Sequence, residues 1–298
     1  MAELQRVLVT GGNGQLGLEL AEGLASGRTV EAAGVDTLDI TDAEAVPAYF
    51  GRFRPDIVLH AAAWTDVDGC EQDQNRAMRV NAEGTKHVAE ACRRVGAWMI
   101  YFSTDYVFDG AKNTAYCEDD RPFPMNVYGR SKLYGEGWVR DIAERYTILR
   151  LAWLYGFGGD NFVSTMLAQG AEQVAARSRG IKAPPLRVVD DQLGNPTWTA
   201  DVVRQTETVL ARGLTGLYHA SSERACSWYE FALEVFREMD MPVEVWPCTT
   251  ELLEDRAPRP KNSAMDNCAL MDAGANVMRD WRIALSEYLR LYGERLLR

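Results

Sequence analysis

Lysine and histidine are scarce in this chain, with five and three copies in 298 residues, and the six cysteines stand far apart. Cys70, Cys92, Cys117, Cys226, Cys248 and Cys268 form no C-x-x-C pair and keep no metal-ligand spacing with histidine, so the expectation is reduced thiols and no metal centre. Long hydrophobic runs are also missing. None approaches the ~20 residues that a membrane helix needs, and "MAELQRVLVT" enters a strand-like run without the regions of a signal peptide. A cytoplasmic protein with no membrane partner is expected. Basic charge is short too: the formal net charge is −11, whereas nucleic-acid surfaces neutralise phosphates with basic stripes. No nucleic-acid partner is expected, and an anionic ligand must be held locally.

What the chain does have is apolar residues in quantity, 47%, and a length that allows one large or two modest domains. In the first half, short apolar runs alternate with longer amphipathic segments. "RVLVT" (6–10), "TVEAAGV" (29–35), "DIVLHAA" (56–62), "WMIYFS" (98–103) and "TILRLAW" (147–153) read as buried strands, and residues 14–26, 42–50, 73–95 and 127–145 as helices. Such alternation implies right-handed crossovers: an α/β, Rossmann-like, doubly wound parallel sheet. "TDAE" (41–44) fits a capping box with Thr41 at the cap and Glu44 reaching back, and Pro47 then falls where it shortens or kinks the helix.

From residue 154 the texture changes. "YGFGGDN", "RSRGIKAPPL" and "DDQLGNPTW" read as long loops around a strand at 186–189, and helical patterns return at 200–211, 227–239 and 279–297 with a strand near "GLYHA" (216–220). The expected organisation is a dinucleotide-binding core over 1–153, to which later segments return, and a smaller, irregular substrate-binding lobe over 154–298. That lobe would sit at the sheet's carboxyl edge, where ligands of open α/β sheets bind.

"VTGGNGQLG" follows the first strand and opens the first helix, the context a dinucleotide fingerprint requires. Gly11, Gly14 and Gly17 serve a tight turn, a close approach of backbone N–H groups to a pyrophosphate, and close helix-strand packing, with Gln15 and Leu16 in the same turn. After the second strand, "GVDTLDI" offers Asp36 and Asp39 as ribose acceptors and no arginine for the extra phosphate of NADP. NADH is therefore expected to serve at least as well as NADPH.

"NVYGRSK" (126–132) places Tyr128 four residues ahead of Lys132, one helix face carrying both. A nearby ammonium favours the phenolate and draws a tyrosine's pKa from about 10 toward neutrality, which suits it to exchange a proton with an alkoxide. Lysine's remaining hydrogens can hold a nicotinamide ribose. "FSTDY" supplies Ser103 and Thr104 at a strand end to hydrogen-bond a substrate oxygen, and the three groups together make a carbonyl-reducing site.

The glycine turn, "STDYVFDG", "NVYGRSK", "NFVSTML", "VVDDQLGNPT" and "RPKNSAM" occur in this order over nearly the whole chain. In this the sequence resembles the dTDP-4-dehydrorhamnose reductases, extended short-chain dehydrogenase/reductases. The resemblance implies reduction of the C4 keto group of dTDP-6-deoxy-L-lyxo-4-hexulose to dTDP-L-rhamnose by NADH or NADPH. It puts the catalytic threonine, tyrosine and lysine on Thr104, Tyr128 and Lys132, and a sugar-contacting tryptophan on Trp153. It also implies cofactor contacts at Ala62 and Ala63, within "AAAWTDVDGCE", and substrate contacts at Asp105, Asn161 and Arg259. Some members are dimers with Mg2+ at the interface, so a homodimer and an Mg2+ site join the expectations. Related 4,6-dehydratases carry T-D-E where this chain has Thr104-Asp105-Tyr106, and without that glutamate elimination loses its base. Asp66 stands where a small residue is common, and the stretch from Ala171 to Leu186 is longer than the family's connection, which points to a changed lid or sugar preference. Another nucleotide-sugar 4-ketoreductase or epimerase, or a non-catalytic regulatory subunit like that of methionine adenosyltransferase, is the alternative.

Overall fold

The computed structural model describes residues 5–252 and 256–297. Its centre is a six-stranded parallel sheet of β1 (Gln5–Thr10), β2 (Arg28–Ala33), β3 (Ile57–His60), β4 (Trp98–Thr104), β5 (Tyr146–Leu151) and, much later in the chain, β10 (Gly216–His219). The spatial order is β10-β5-β4-β3-β1-β2. It reverses between β1 and β3, and an open α/β sheet has its ligand crevice at such a switch point. Apolar clusters cover both faces, one centred on Val7, Leu20, Ile100 and Leu149, the other on Phe50, Val58, Val88 and Ile148. Continuous apolar strands are what burial on both faces demands.

Helices α1 (Gln15–Gly23), α2 (Ala45–Phe53), α3 (Val67–Gln72), α4 (Gln74–Met78), α5 (Thr85–Val95) and α6 (Val127–Ile142) connect the strands. The segment read as one helix over 73–95 is α4 and α5 joined by a π-helical turn, Arg79–Gly84. The helix read from 42 begins at Ala45. Asp42 accepts from the backbone N–H groups of Glu44 and Ala45, while Thr41 donates its hydroxyl and N–H to Asp39. Pro47 thereby falls in the first turn, where its missing N–H has no intrahelical partner to lose.

Beyond β5 come β6 (Leu154–Tyr155), α7 (Phe162–Ser178), β7 (Leu186–Val189), β8 (Leu193–Gly194), β9 (Thr197–Trp198), α8 (Thr199–Arg212), β11 (Cys226–Ser227), α9 (Trp228–Glu238), β12 (Val245–Cys248), α10 (Cys268–Asp272) and α11 (Trp281–Leu296). A third apolar cluster built on Phe231, Trp281 and Tyr288 holds α7, α9 and α11 together. The stretch 171–186 is the end of α7 and a short connection to β7. Gln173 ties it to the backbone of Pro184 and Glu244, and none of it lines the cleft described below.

The expectation of reduced thiols is corrected: Cys117 and Cys268 form a disulfide across 151 residues. Glu118 accepts from the backbone N–H of His219 and of Ala269, which seats the Cys117 loop on β10 and α10 and brings the two sulfurs together. Spacing along the chain carries no sign of that contact. The other four cysteines are free and buried.

Candidate active site

A cleft of about 420 Å3 lies along the carboxyl ends of the strands, between the glycine turn after β1 and the residues that end β4 and open α6. The turn is fixed by steric necessity. Gly11 has φ +71°, and a Cβ on it would lie 2.7 Å from the backbone of Ala62, so the chains after β1 and β3 meet in a contact that only glycine allows. A Cβ on Gly17 would come within 2.2 Å of the Gly11 carbonyl oxygen. Helix α1 opens on the cleft, presenting N–H groups without intrahelical partners to an anion. Gln15 Nε2 is buried beside it with no hydrogen-bond partner. Backbone donors, a shallow turn and an unpaired buried amide suit a dinucleotide's pyrophosphate.

At the other end, Asn126 caps α6 by accepting from Gly129 N–H at 2.8 Å and donates to the Pro258 carbonyl at 2.9 Å. Gly129 is the residue that lets this helix seat against the turn after β4, since a Cβ there would meet the Tyr106 carbonyl oxygen at 2.0 Å. So placed, α6 turns Tyr128 and Lys132 into the cleft opposite Thr104. Thr104 donates its hydroxyl to Asp105 Oδ1 at 3.0 Å and accepts from Tyr106 N–H at 3.1 Å. Lys132 Nζ donates to the Phe102 carbonyl at 2.7 Å and lies 4.3 Å over the Tyr101 ring. Ser103, the other hydroxyl of "FSTDY", donates instead to Glu136, which Arg150 clamps with two bonds of 2.8 Å. Asn81, in the π-helical turn, donates to the Trp64 carbonyl and to Ser131 and accepts from Trp64 N–H, tying the β3-α3 connection to α6.

The electrostatics correct the expectation for Tyr128. Burial drives its pKa above the ordinary value; the neighbouring Thr104 hydroxyl pulls the other way and the Asp105 carboxylate adds to the rise. Burial also pushes Lys132 down to about 7, with Glu136 pulling it back up. Desolvation disfavours each charged form, and the lysine does not offset it at the tyrosine. Tyr128 is a neutral phenol here, the form that donates a proton.

The cleft brings together Gly11, Gly14, Gln15, Leu16, Gly17, Ala63, Thr104, Asp105, Tyr128, Lys132 and Trp153. Ala62 does not line the cleft; it touches the glycine turn and packs against the second apolar cluster. Asp36 and Asp39 are exposed at the end of β2 outside the cleft, and Asp39 is engaged with Thr41. Asn161 does not line the cleft; it caps α7 and gives its amide to the carbonyls of Gly156 and Gly159. Nor does Arg259, which pairs with Asp68 at 2.9 Å and donates to the Ala257 carbonyl at 2.9 Å. Asp66, the unusual residue of its segment, caps α3. Trp153 has φ +44° and stacks at 3.5 Å on Trp228, so one face of its indole is already covered. Trp228 itself, with Thr65 and Val67, completes the wall; the sequence offered no signal for Trp228 except its aromatic type. The one grouping of potential metal ligands among the described residues is Cys117, Asp266 and Cys268, which is no oxygen cage of the kind magnesium takes, and nothing supports an Mg2+ site.

A dinucleotide turn facing a hydroxyl, a phenol and a lysine across a sheet's switch point defines a Rossmann-type carbonyl oxidoreductase. Comparison with known proteins narrows the class. The RmlD substrate binding domain model matches residues 5–293, and the chain belongs to that family. It is 41% identical to the dTDP-4-dehydrorhamnose reductase of Streptomyces griseus over 95% of this chain and 92% of that one. Among solved structures it is similar to the dTDP-4-dehydrorhamnose reductase of Clostridium acetobutylicum (39% identity, 97% and 100% coverage, TM-score 0.92). It is also similar to that of Bacillus anthracis in complex with NADP (38% identity, 97% and 100% coverage, TM-score 0.91). No helix among the described residues is long and apolar enough to cross a membrane.

Proposed function

We propose that the protein reduces the C4 keto group of dTDP-6-deoxy-L-lyxo-4-hexulose to the hydroxyl of dTDP-L-rhamnose, using NADH or NADPH. The observation that carries this reading is the meeting of Thr104, Tyr128 and Lys132 at the end of a cleft whose far end is a dinucleotide turn. When bound, the reduced nicotinamide supplies the hydride. Gly11, Gly14, Gln15, Leu16 and Gly17 would hold its pyrophosphate, and Lys132 its nicotinamide ribose. Asp36 would accept from the other ribose.

Thr104 donates to the sugar's carbonyl oxygen and orients it toward Tyr128. The Tyr128 phenol gives its proton to the oxygen as negative charge develops there, a role worth roughly 10²–10⁴-fold in rate. Lys132, anchored on the Phe102 carbonyl, fixes the phenol's neighbour on the same helix face. Tyr106 follows Asp105 where a dehydratase would need its base, and burial raises its phenol above the ordinary pKa, so it supplies no base and the site reduces without eliminating water. The Trp153-Trp228 wall and the lobe formed by α7, α9 and α11 would receive the sugar and its nucleotide. We keep Asn161 and Arg259 as organisers of the loops around that subsite. Solution in the cytoplasm and assembly as a homodimer complete the reading.

The test is a coupled assay offering dTDP-4-keto-6-deoxy sugars with NADH or NADPH, the product identified by NMR. dTDP-L-rhamnose is the expected product. A different epimer would move the protein to another 4-ketoreductase, and cofactor-independent binding without turnover would make it a regulatory subunit.

A further inference from the structure

Cys117, Asp266 and Cys268 bring two sulfurs and a carboxylate oxygen within 4.8 Å of one another, outside the cleft. The sulfurs are joined, but the S–S bond is not all that assembles the group. Residues 116 and 265 form a parallel bridge, in which Tyr116 N–H donates to the Ala264 carbonyl at 2.7 Å and Asp266 N–H to the Tyr116 carbonyl at 2.9 Å. Between Asp266 and Cys268, the buried Asn267 accepts from Ser221 N–H and donates to the Ser221 carbonyl. Glu118 holds the same two segments through the N–H groups of His219 and Ala269. With the disulfide open, these hydrogen bonds still keep Cys117 beside Asp266 and Cys268.

The donor set is selective. Two thiolates and a carboxylate suit Zn2+, a borderline-soft ion, whereas magnesium and calcium take oxygen alone. Both oxygens of Glu118 are taken, and Asp120 accepts from Cys117 N–H and the Lys112 ammonium. The Asp266 carboxylate, by contrast, is exposed and has no hydrogen-bond or ion-pair partner among the described residues. The cysteine Cα atoms stand 5.8 Å apart. Parting the sulfurs to the ~3.7 Å that two ligands of one tetrahedral zinc require, at ~2.3 Å each, is then a matter of side-chain rotation.

Disulfides seldom persist in a reducing compartment, where grouped cysteines more often hold a metal. We propose that Cys117, Cys268 and Asp266 form a Zn2+ site once the disulfide is reduced, with water in the fourth position.

The exchange balances with a dithiol as reductant. Its two thiols give two electrons and two protons to the S–S bond, and it leaves as its own disulfide. Zn2+ then displaces one proton from each of the Cys117 and Cys268 thiols and binds the two thiolates and the Asp266 carboxylate. Metal and disulfide are alternative clasps on one pair of segments. The first of these reaches the loop after β4 through the Tyr116 ring, stacked on Phe108 at 4.1 Å.

The experiment reduces the full-length protein with a phosphine, removes the reductant without air, and titrates Co2+ and then Zn2+. Reduced wild type should take up one Co2+ with a thiolate-to-cobalt charge-transfer band, which one equivalent of Zn2+ bleaches. The oxidised protein should show no band, and Zn2+ should raise the melting temperature of the reduced form only. Cys268→Ser should abolish the band. Asp266→Asn keeps both sulfurs and should weaken the affinity by at least the ~10-fold that loss of even a supporting residue costs; it carries the test if Cys268→Ser does not fold. No band in reduced wild type overturns the site. So does an undiminished band in Cys268→Ser, which would assign the ion to the other four cysteines, or wild-type affinity in Asp266→Asn. Keto-sugar reduction by the oxidised protein tests the activity proposed above, and its failure leaves the metal titration unaffected.

Discussion

The two ends of the cleft are built on different physics. At the glycine end, shape does the work: Gly11 and Gly17 sit where a Cβ would press into backbone within 3 Å, and the groups offered to a ligand are main-chain N–H donors that never titrate. At the catalytic end, burial does the work. Thr104, Asp105 and Lys132 are 5%, 3% and 3% exposed, and desolvation sets the protonation of Asp105, Tyr128 and Lys132. At the glycine end the position of a backbone neighbour decides which methyl is admitted; at the catalytic end the partners of each proton decide as well.

The largest expected effect sharpens this contrast at the catalytic end. Tyr128→Phe keeps the ring and its edge contact with Tyr106, so cofactor binding and thermal stability should hold while kcat falls by roughly 10²–10⁴-fold. Glu136→Gln comes next. The carboxylate is fully buried against Arg150 and Ser103, and taking one charge from a buried pair should cost about 3–5 kcal/mol of stability by denaturant unfolding. A loss under about 1 kcal/mol would show that burial is not what holds this end together. At the glycine end, Gly17→Ala should weaken NADH binding by about tenfold or more, since the clash is with backbone. Gly14→Ala, whose Cβ would sit 3.3 Å from the Gly11 carbonyl oxygen, should cost well under about 1.4 kcal/mol in the same titration. Equal effects would break the steric account. Smallest is the choice of cofactor: Asp36 and the absence of arginine after β2 predict kcat/KM with NADH at least equal to that with NADPH. A tenfold preference for NADPH, about 1.4 kcal/mol, would refute it.

The same division decides what could be read from the residues. β1 to β5, the glycine turn and the pairing of Tyr128 with Lys132 are local: their periods of two and 3.6 and their fixed spacings lie within one βα unit or one helix. The capping box was misplaced because Thr41 and Asp42 both offer oxygens one residue apart, and only the path of the chain shows that Asp42 faces the helix. α7 went unread in a stretch bounded by glycine-rich and proline-rich loops. Asn161 looked like a nucleotide contact because an asparagine at a loop end serves a ligand or a helix cap equally well; its neighbours Gly156 and Gly159 settle its amide in the loop.

By itself the sequence determined the parallel sheet, the dinucleotide turn and the helix that carries Tyr128 and Lys132, because these follow from steric and periodic rules acting over a few residues. Tertiary structure alone decided that Lys132 reaches the Phe102 carbonyl and that Cys117 meets Cys268. It also decided that Trp228 covers Trp153 and that Asp105 is shut away with one oxygen unpaired. A proton affinity depends on how much water is excluded, and that is a property of everything packed around a group, from segments up to 132 residues away in the case of Pro258 and Asn126, which caps the helix carrying Tyr128.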